Sequence, residues 1–223
     1  MPFRDRSDAG KKLAQALSRR QGDDPVVLAL PRGGVPVAAE VAAALRAPLD
    51  LVLVRKIGAP IYPELAMGAV VDGGAPVIVR NDNIIAELGI DETEFKRACD
   101  RELAEITRRR RLYLGDRAPI DVKDRLAIVV DDGIATGATT KAALRAIRMR
   151  KPKRLLLAVP VAPTDSLREL GKEADEVICL EDYEYFGAVG AYYGDFRQIS
   201  DEEVIDTLAR FRPEPKADHS AEP

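Results

Sequence analysis

One histidine, two cysteines and no long apolar run in 223 residues remove several kinds of chemistry. The lone His219 stands in the polar segment Arg212 to Pro223, whose composition predicts a disordered tail. Ser–His–Asp and Cys–His catalysis, and zinc sites built on imidazole, therefore lack their key residue. Cys99 and Cys179 lie far apart without metal-ligand spacing, so they read as reduced, buried thiols of a cytoplasmic protein. No stretch has the length of a membrane span, and Met1 to Lys12 is too polar for a signal peptide. An excess of one charge is missing too: 34 Lys and Arg face 37 Asp and Glu, which argues against a nucleic-acid partner. There is no internal repeat. Any catalysis must rest on carboxylates, cations, backbone amides and a metal.

What is present is an alternation of short apolar runs with helical patterns, which predicts an α/β fold around a parallel sheet. Asp5 to Leu17 reads as a first helix. Strand patterns follow at Val26–Leu30, Leu49–Val54, Ala75–Val79, Leu126–Val130, Arg154–Val161 and Glu176–Leu180. Asn81 to Asn83 reads as a turn. Asp91 to Glu94 has the form of a capping box, opening a helix to Leu114 with Phe95, Cys99, Leu103, Ile106 and Tyr113 on one face. The other side carries Arg97, Arg101 and Arg108 to Arg111, read as a solvated face balanced by Glu102 and Glu105, with nucleic-acid binding as the sharper alternative.

The most informative stretch runs from Leu126 to Thr140. A buried strand ends in Asp131 and Asp132, a loop of small and hydroxylic residues follows, and a helix pattern starts at once. Ala135, Gly137 and Ala138 let backbone N–H groups approach an anion, and Thr136, Thr139 and Thr140 add hydroxyl donors. Asp131 and Asp132 would repel phosphate, but suit vicinal ribose hydroxyls or a Mg2+ beside them. An acidic helix cap would explain Asp132 alone, not the whole set. Two further strand ends carry candidate anion ligands. Arg32, Gly33 and Gly34 follow the first strand, where two glycines allow close backbone approach. Arg55 and Lys56 follow the next, where a fork and a point charge could neutralise a leaving pyrophosphate.

The Asp-Asp-x-x-Ala-Thr-Gly stretch resembles the 5-phosphoribosyl-1-pyrophosphate (PRPP) motif of type I phosphoribosyltransferases; neither a Walker loop nor a Rossmann fingerprint fits it. The resemblance spans most of residues 3–210. It implies a parallel-sheet core in one domain, 1–211, with a small variable hood within 181–200. It assigns the 5-phosphate to residues 135–140, the ribose or its Mg2+ to Asp131 and Asp132, and pyrophosphate to Arg32, Gly33, Gly34, Arg55 and Lys56. The segment Ile61 to Ala69 would lie near a mobile loop that closes over the site. Tyr185, Phe186 and Tyr193 are candidates for stacking on an acceptor base, with packing of a C-terminal lobe the equal alternative. Hypoxanthine-type enzymes carry an acid where this chain has Ala135, and the pattern is closer to the adenine type. The segments Arg-Lys-Ile-Gly-Ala-Pro and Ala-Val-Gly-Ala-Tyr-Tyr resemble bacterial phosphoribosyltransferase-domain proteins of unassigned substrate. The implied activity is Mg2+-dependent transfer of ribose 5-phosphate from PRPP to a nitrogenous base. The alternative is a non-catalytic PRPP sensor controlling a nucleic-acid or protein partner. Homo-oligomerisation through strand edges or helix faces is compatible with the sequence.

Overall fold

A computed structural model describes residues 1–72 and 76–211. The expected tail and Ala75 of the third strand pattern lie outside the described residues. In chain order the elements are α1 (Arg6–Ala16), β1 (Pro25–Ala29), α2 (Gly34–Leu45), β2 (Leu49–Leu51), β3 (Val54–Gly58), β4 (Ala66–Val71) and β5 (Val77–Arg80). Then come α3 (Asp82–Glu87), α4 (Glu92–Leu114), β6 (Leu126–Val130), α5 (Ala138–Met149), β7 (Arg154–Pro163), α6 (Thr164–Leu170), β8 (Glu176–Tyr183) and α7 (Asp201–Ala209). None of the helices among the described residues is long and apolar enough to cross a membrane.

A parallel five-stranded sheet in the order β2-β1-β6-β7-β8 forms the centre. Every residue of β1 and β6 is buried, as expected of central strands covered on both faces. Val27 and Ala29 face one apolar cluster, with α2 and α4; Val26 and Leu28 face the other, with α5. The capping box at Asp91 and Glu94 starts α4 where the sequence places it, and the helix ends at Leu114. A second capping box, Ser200 with Glu203, starts α7. Asn81 to Asn83 forms no free turn: Asn81 caps α3 through its side chain.

The pattern Leu49 to Val54 is not one strand. It breaks after Leu51, and Val54 opens an antiparallel three-stranded sheet, β3-β4-β5. A buried charge cluster occupies the break. Asp50 and Asp72, 1% and 5% exposed, both accept from the guanidinium of Arg110 in α4, with Arg110 Nη1 2.6 Å from Asp72 Oδ2. The backbone N–H of Leu53 donates to Asp72, and those of Leu51 and Ile120 donate to Asp50. Burial nevertheless holds Asp72 above the usual carboxylate range. Arg110 therefore joins the two sheets and is no part of a solvated face. Its neighbours Arg108 and Arg109 do lie on the surface, both on Glu105, whose carboxyl they lower to about 2.

Replacing Arg110 would leave two carboxylates buried without their cation. Arg110→Leu is expected to cost about 3–5 kcal/mol of unfolding free energy, measured by denaturant titration. A loss under about 1 kcal/mol would show that the cluster does not hold the two sheets together.

Candidate functional site

Parallel pairing of β1 with β6 sets their carboxyl ends side by side, Ala29 opposite Val130. The loops that leave them are in direct contact. A Cβ on Gly33 would lie 2.0 Å from Asp132 Oδ2, and one on Gly34 would lie 2.8 Å from the Val130 carbonyl oxygen. Only glycine lets the 31–34 backbone sit this close to the acids. The Pro31–Arg32 peptide is cis. Arg32 extends towards α7, its Nη1 3.5 Å from Asp201 Oδ1, and Asp201 also accepts from the Tyr113 hydroxyl.

The two acids sit in unlike surroundings. Asp131 Oδ1 accepts from the N–H of Asp132, closing a tight local turn. Burial and the adjacent Asp132 carboxylate push Asp131 well above the usual carboxylate range. Asp132 Oδ2 is 2.7 Å from Nε of Arg6, an arginine in the first turn of α1 that no motif marks. Its guanidinium also donates to the Arg197 carbonyl at 2.9 Å and lies 3.8 Å from the Phe196 ring centroid. One oxygen of each carboxylate is thus occupied, and one of each remains for a ligand.

After the acids, Gly137 adopts φ +74°, a conformation that favours glycine, and turns the chain into α5. Ala135, Thr136, Ala138 and Thr139 are exposed, whereas Thr140 is buried. The first N–H groups of α5 have no acceptor within the helix, so they and the hydroxyls of Thr136 and Thr139 can converge on an anion. Ser166 Oγ donates to the Ala135 carbonyl and anchors the loop to α6.

Arg55 and Lys56 are not at a strand exit. They are adjacent residues within β3, so their side chains leave on opposite faces. Arg55 pairs with Glu102 of α4 at 2.8 Å. Lys56 reaches Glu64 and lines a cavity of about 550 Å³ between the small sheet and α5, with Arg80, Thr139, Lys141 and Arg145. The structure therefore brings Lys56, but not Arg55, to the cavity that Thr139 also lines. Asp131 and Asp132 are not in the lining of this cavity.

The segment 181–200 joins the chain's first residues. Phe3 bridges Tyr193, and the N–H groups of Gly194 and Asp195 donate to the Phe3 and Arg4 carbonyls. Tyr193 is 2% exposed, so its ring offers no open face to a base. Its hydroxyl donates instead to the Asp132 carbonyl at 2.5 Å, and burial raises the phenol's pKa. Phe186 stacks on Tyr192, and Tyr192 on Tyr183, while Tyr185 is 93% exposed. The three expected base-stacking rings are therefore dispersed among core, stack and surface.

The Gly33 contact is directly testable. Gly33→Ala is expected to lower stability by about 1–3 kcal/mol, as overpacking does. Gly22→Ala, with no atom within 4 Å of the new methyl, should stay within about 0.5 kcal/mol of wild type. Equal unfolding midpoints for the two variants would contradict the close approach.

The family model for the phosphoribosyl transferase domain matches residues 4–195. Two curated relatives from Mycobacterium tuberculosis, strains CDC 1551 / Oshkosh and ATCC 25618 / H37Rv, are each 45% identical over 208 residues. Their names class them provisionally as phosphoribosyl transferases. The alignment covers 93% of this chain and 46% of each relative, so the chain spans about half the length of the curated relatives it matches. A solved structure, TT1426 from Thermus thermophilus, is 42% identical with a TM-score of 0.83, covering 96% of this chain and 100% of that one. Two acids at the end of β6, a small-residue turn into α5 and a glycine loop packed on the acids are thus part of a matched domain: the chain belongs to the phosphoribosyl transferase domain family.

Proposed function

We propose that this protein is a Mg2+-dependent phosphoribosyltransferase that moves ribose 5-phosphate from PRPP to a nitrogenous base and releases pyrophosphate. The observation that carries this reading is the contact of the Arg32–Gly34 loop with Asp131 and Asp132 at the ends of paired strands. Such contact sets an anion-binding backbone beside two hydroxyl acceptors. Pyrophosphate and ribose are joined by a single bond in PRPP, so their two sites must touch in this way.

In this reading the exposed loop of Ala135, Thr136, Gly137, Ala138 and Thr139 holds the 5-phosphate at the start of α5. Thr140 supplies its backbone N–H. Asp131 and Asp132 accept from the ribose hydroxyls. Arg32, Gly33 and Gly34 hold the pyrophosphate, with Lys56 contributing from the small sheet; Arg55 contributes only if it leaves Glu102. Departure of pyrophosphate leaves positive charge on the ribose ring, and fixed carboxylates beneath the ring stabilise that charge without reorganising. The electron pair of the C1–O bond leaves with pyrophosphate, a ring nitrogen of the acceptor forms the new bond at C1, and the proton of that nitrogen passes to solvent. Phe186 and Tyr185, at the rim of the segment 181–200, are the candidates to meet the acceptor.

The donors suit Mg2+ held mainly by substrate and water oxygens. Two carboxylates are available, one oxygen of each is already committed, and no group of three or more His, Cys, Asp or Glu ligands occurs among the described residues. Bound there, Mg2+ would offset the charge that gathers on the leaving pyrophosphate. The alternative of a nucleic-acid-controlling sensor draws less support, because Arg110 is paired with Asp50 and Asp72, and Arg108 and Arg109 are paired with Glu105.

Isothermal titration with PRPP tests the reading. Stoichiometric binding that needs Mg2+ is expected, with Asp132→Asn weakening it about tenfold or more. Pyrophosphate release on adding one of a panel of bases is the accompanying turnover assay. Folded protein with no affinity for PRPP would overturn the proposal.

A further inference from the structure

The cation beside the acid pair comes from outside every motif, and its surroundings are unusually complete. Arg6 is 8% exposed. Its Nε meets Asp132 Oδ2 at 2.7 Å, its Nη1 donates to the Arg197 carbonyl at 2.9 Å, and its guanidinium stacks on Phe196. Phe196 packs on Tyr193 with ring centroids 5.0 Å apart, and the Tyr193 hydroxyl holds the backbone carbonyl of Asp132. On its other side, Asp132 Oδ2 rests against the bare backbone of Gly33. One aspartate is therefore held at its side chain and its backbone by residues of the 193–197 segment and α1.

We infer that Arg6 is a positioning residue that fixes Asp132 for the ribose hydroxyls, joining the segment next to the acceptor to the PRPP site. The inference rests on the proposed assignment of the acid pair to ribose. Its physical content is direction and charge. With Oδ2 committed to Arg6, Asp132 presents Oδ1 alone as an acceptor, in one orientation, and no rotamer search accompanies binding. PRPP is a polyanion, and two adjacent carboxylates would repel it. Arg6 offsets one of them from beneath, which lessens what Mg2+ has to neutralise.

An ion pair this buried also stabilises the fold, so the test must separate holding the fold from orienting a ligand. PRPP titrations at saturating and limiting Mg2+, with a thermal melt of each variant, do so. Arg6→Lys keeps the charge but loses the fork and the stacking on Phe196, so it is expected to bind PRPP with an affinity between wild type and Arg6→Met and with a Mg2+ requirement near wild type. Arg6→Met is expected to bind about tenfold more weakly or worse, and to need more Mg2+ for half-saturation. The double variant Arg6→Met/Asp132→Asn should bind no worse than Asp132→Asn alone, because both changes act through one carboxylate. It also lacks the uncompensated buried charge, so it keeps the comparison available if Arg6→Met itself does not fold. Wild-type affinity in folded Arg6→Met, or additive losses in the double variant, would overturn the inference while leaving the PRPP assignment standing. Wild-type protein without PRPP affinity would overturn both.

Discussion

The candidate site depends first on the parallel register between β1 and β6. Leu28 lies opposite Val129 and Ala29 opposite Val130, and the Leu30 N–H continues the ladder by donating to the Val130 carbonyl. Because alternate residues of each strand enter different apolar clusters, a slip by one position would exchange the two faces. Packing on both faces thus fixes the pairing, and the pairing fixes how far the two loops project. Gly33 and Gly34 are the result at atomic scale, since the register leaves no room there for a methyl group.

A second constraint is electrostatic. Arg110, Asp50 and Asp72 stand where the chain leaves the parallel sheet for the antiparallel one. Backbone N–H groups from three places complete the cluster, so its charges are paired as well as buried. Its position decides where β3 begins, and hence which face of β3 carries Lys56. The cavity shared by Lys56 and Thr139 follows from a charge cluster elsewhere in the fold.

Much of this was legible in the sequence because its causes are local. Period, capping and turn chemistry give α4 its start at Asp91 and its end at Leu114, and place β1, β6 and β7 within a few residues. The Asp131–Thr140 loop is one continuous segment whose residue types state its chemistry. The errors have non-local causes. Leu49 to Val54 is uniformly apolar apart from Asp50, and nothing nearby shows that Arg110 will draw Asp50 into a cluster. Tyr193 resembles a pocket aromatic because it stands among glycines and tyrosines; its burial depends on Phe3, 190 positions earlier in the chain. Arg6 sits in an ordinary polar helix start, and its partners lie 126 and 191 residues away.

Those separations make the acid pair's geometry an event in time as well as a place. During synthesis Arg6 is made long before Asp132 exists, and the carbonyl of Arg197 that completes its grip comes later still. Closing contacts across such spans is entropically costly until the intervening sheet has formed. The Asp-Asp motif can fold locally as a strand and a turn, but its second carboxylate takes its final direction only when the two ends of the domain meet. The orientation of Asp132 is therefore settled only once residues as distant as Arg197 have been added, although the motif that carries it is fewer than about a dozen residues long.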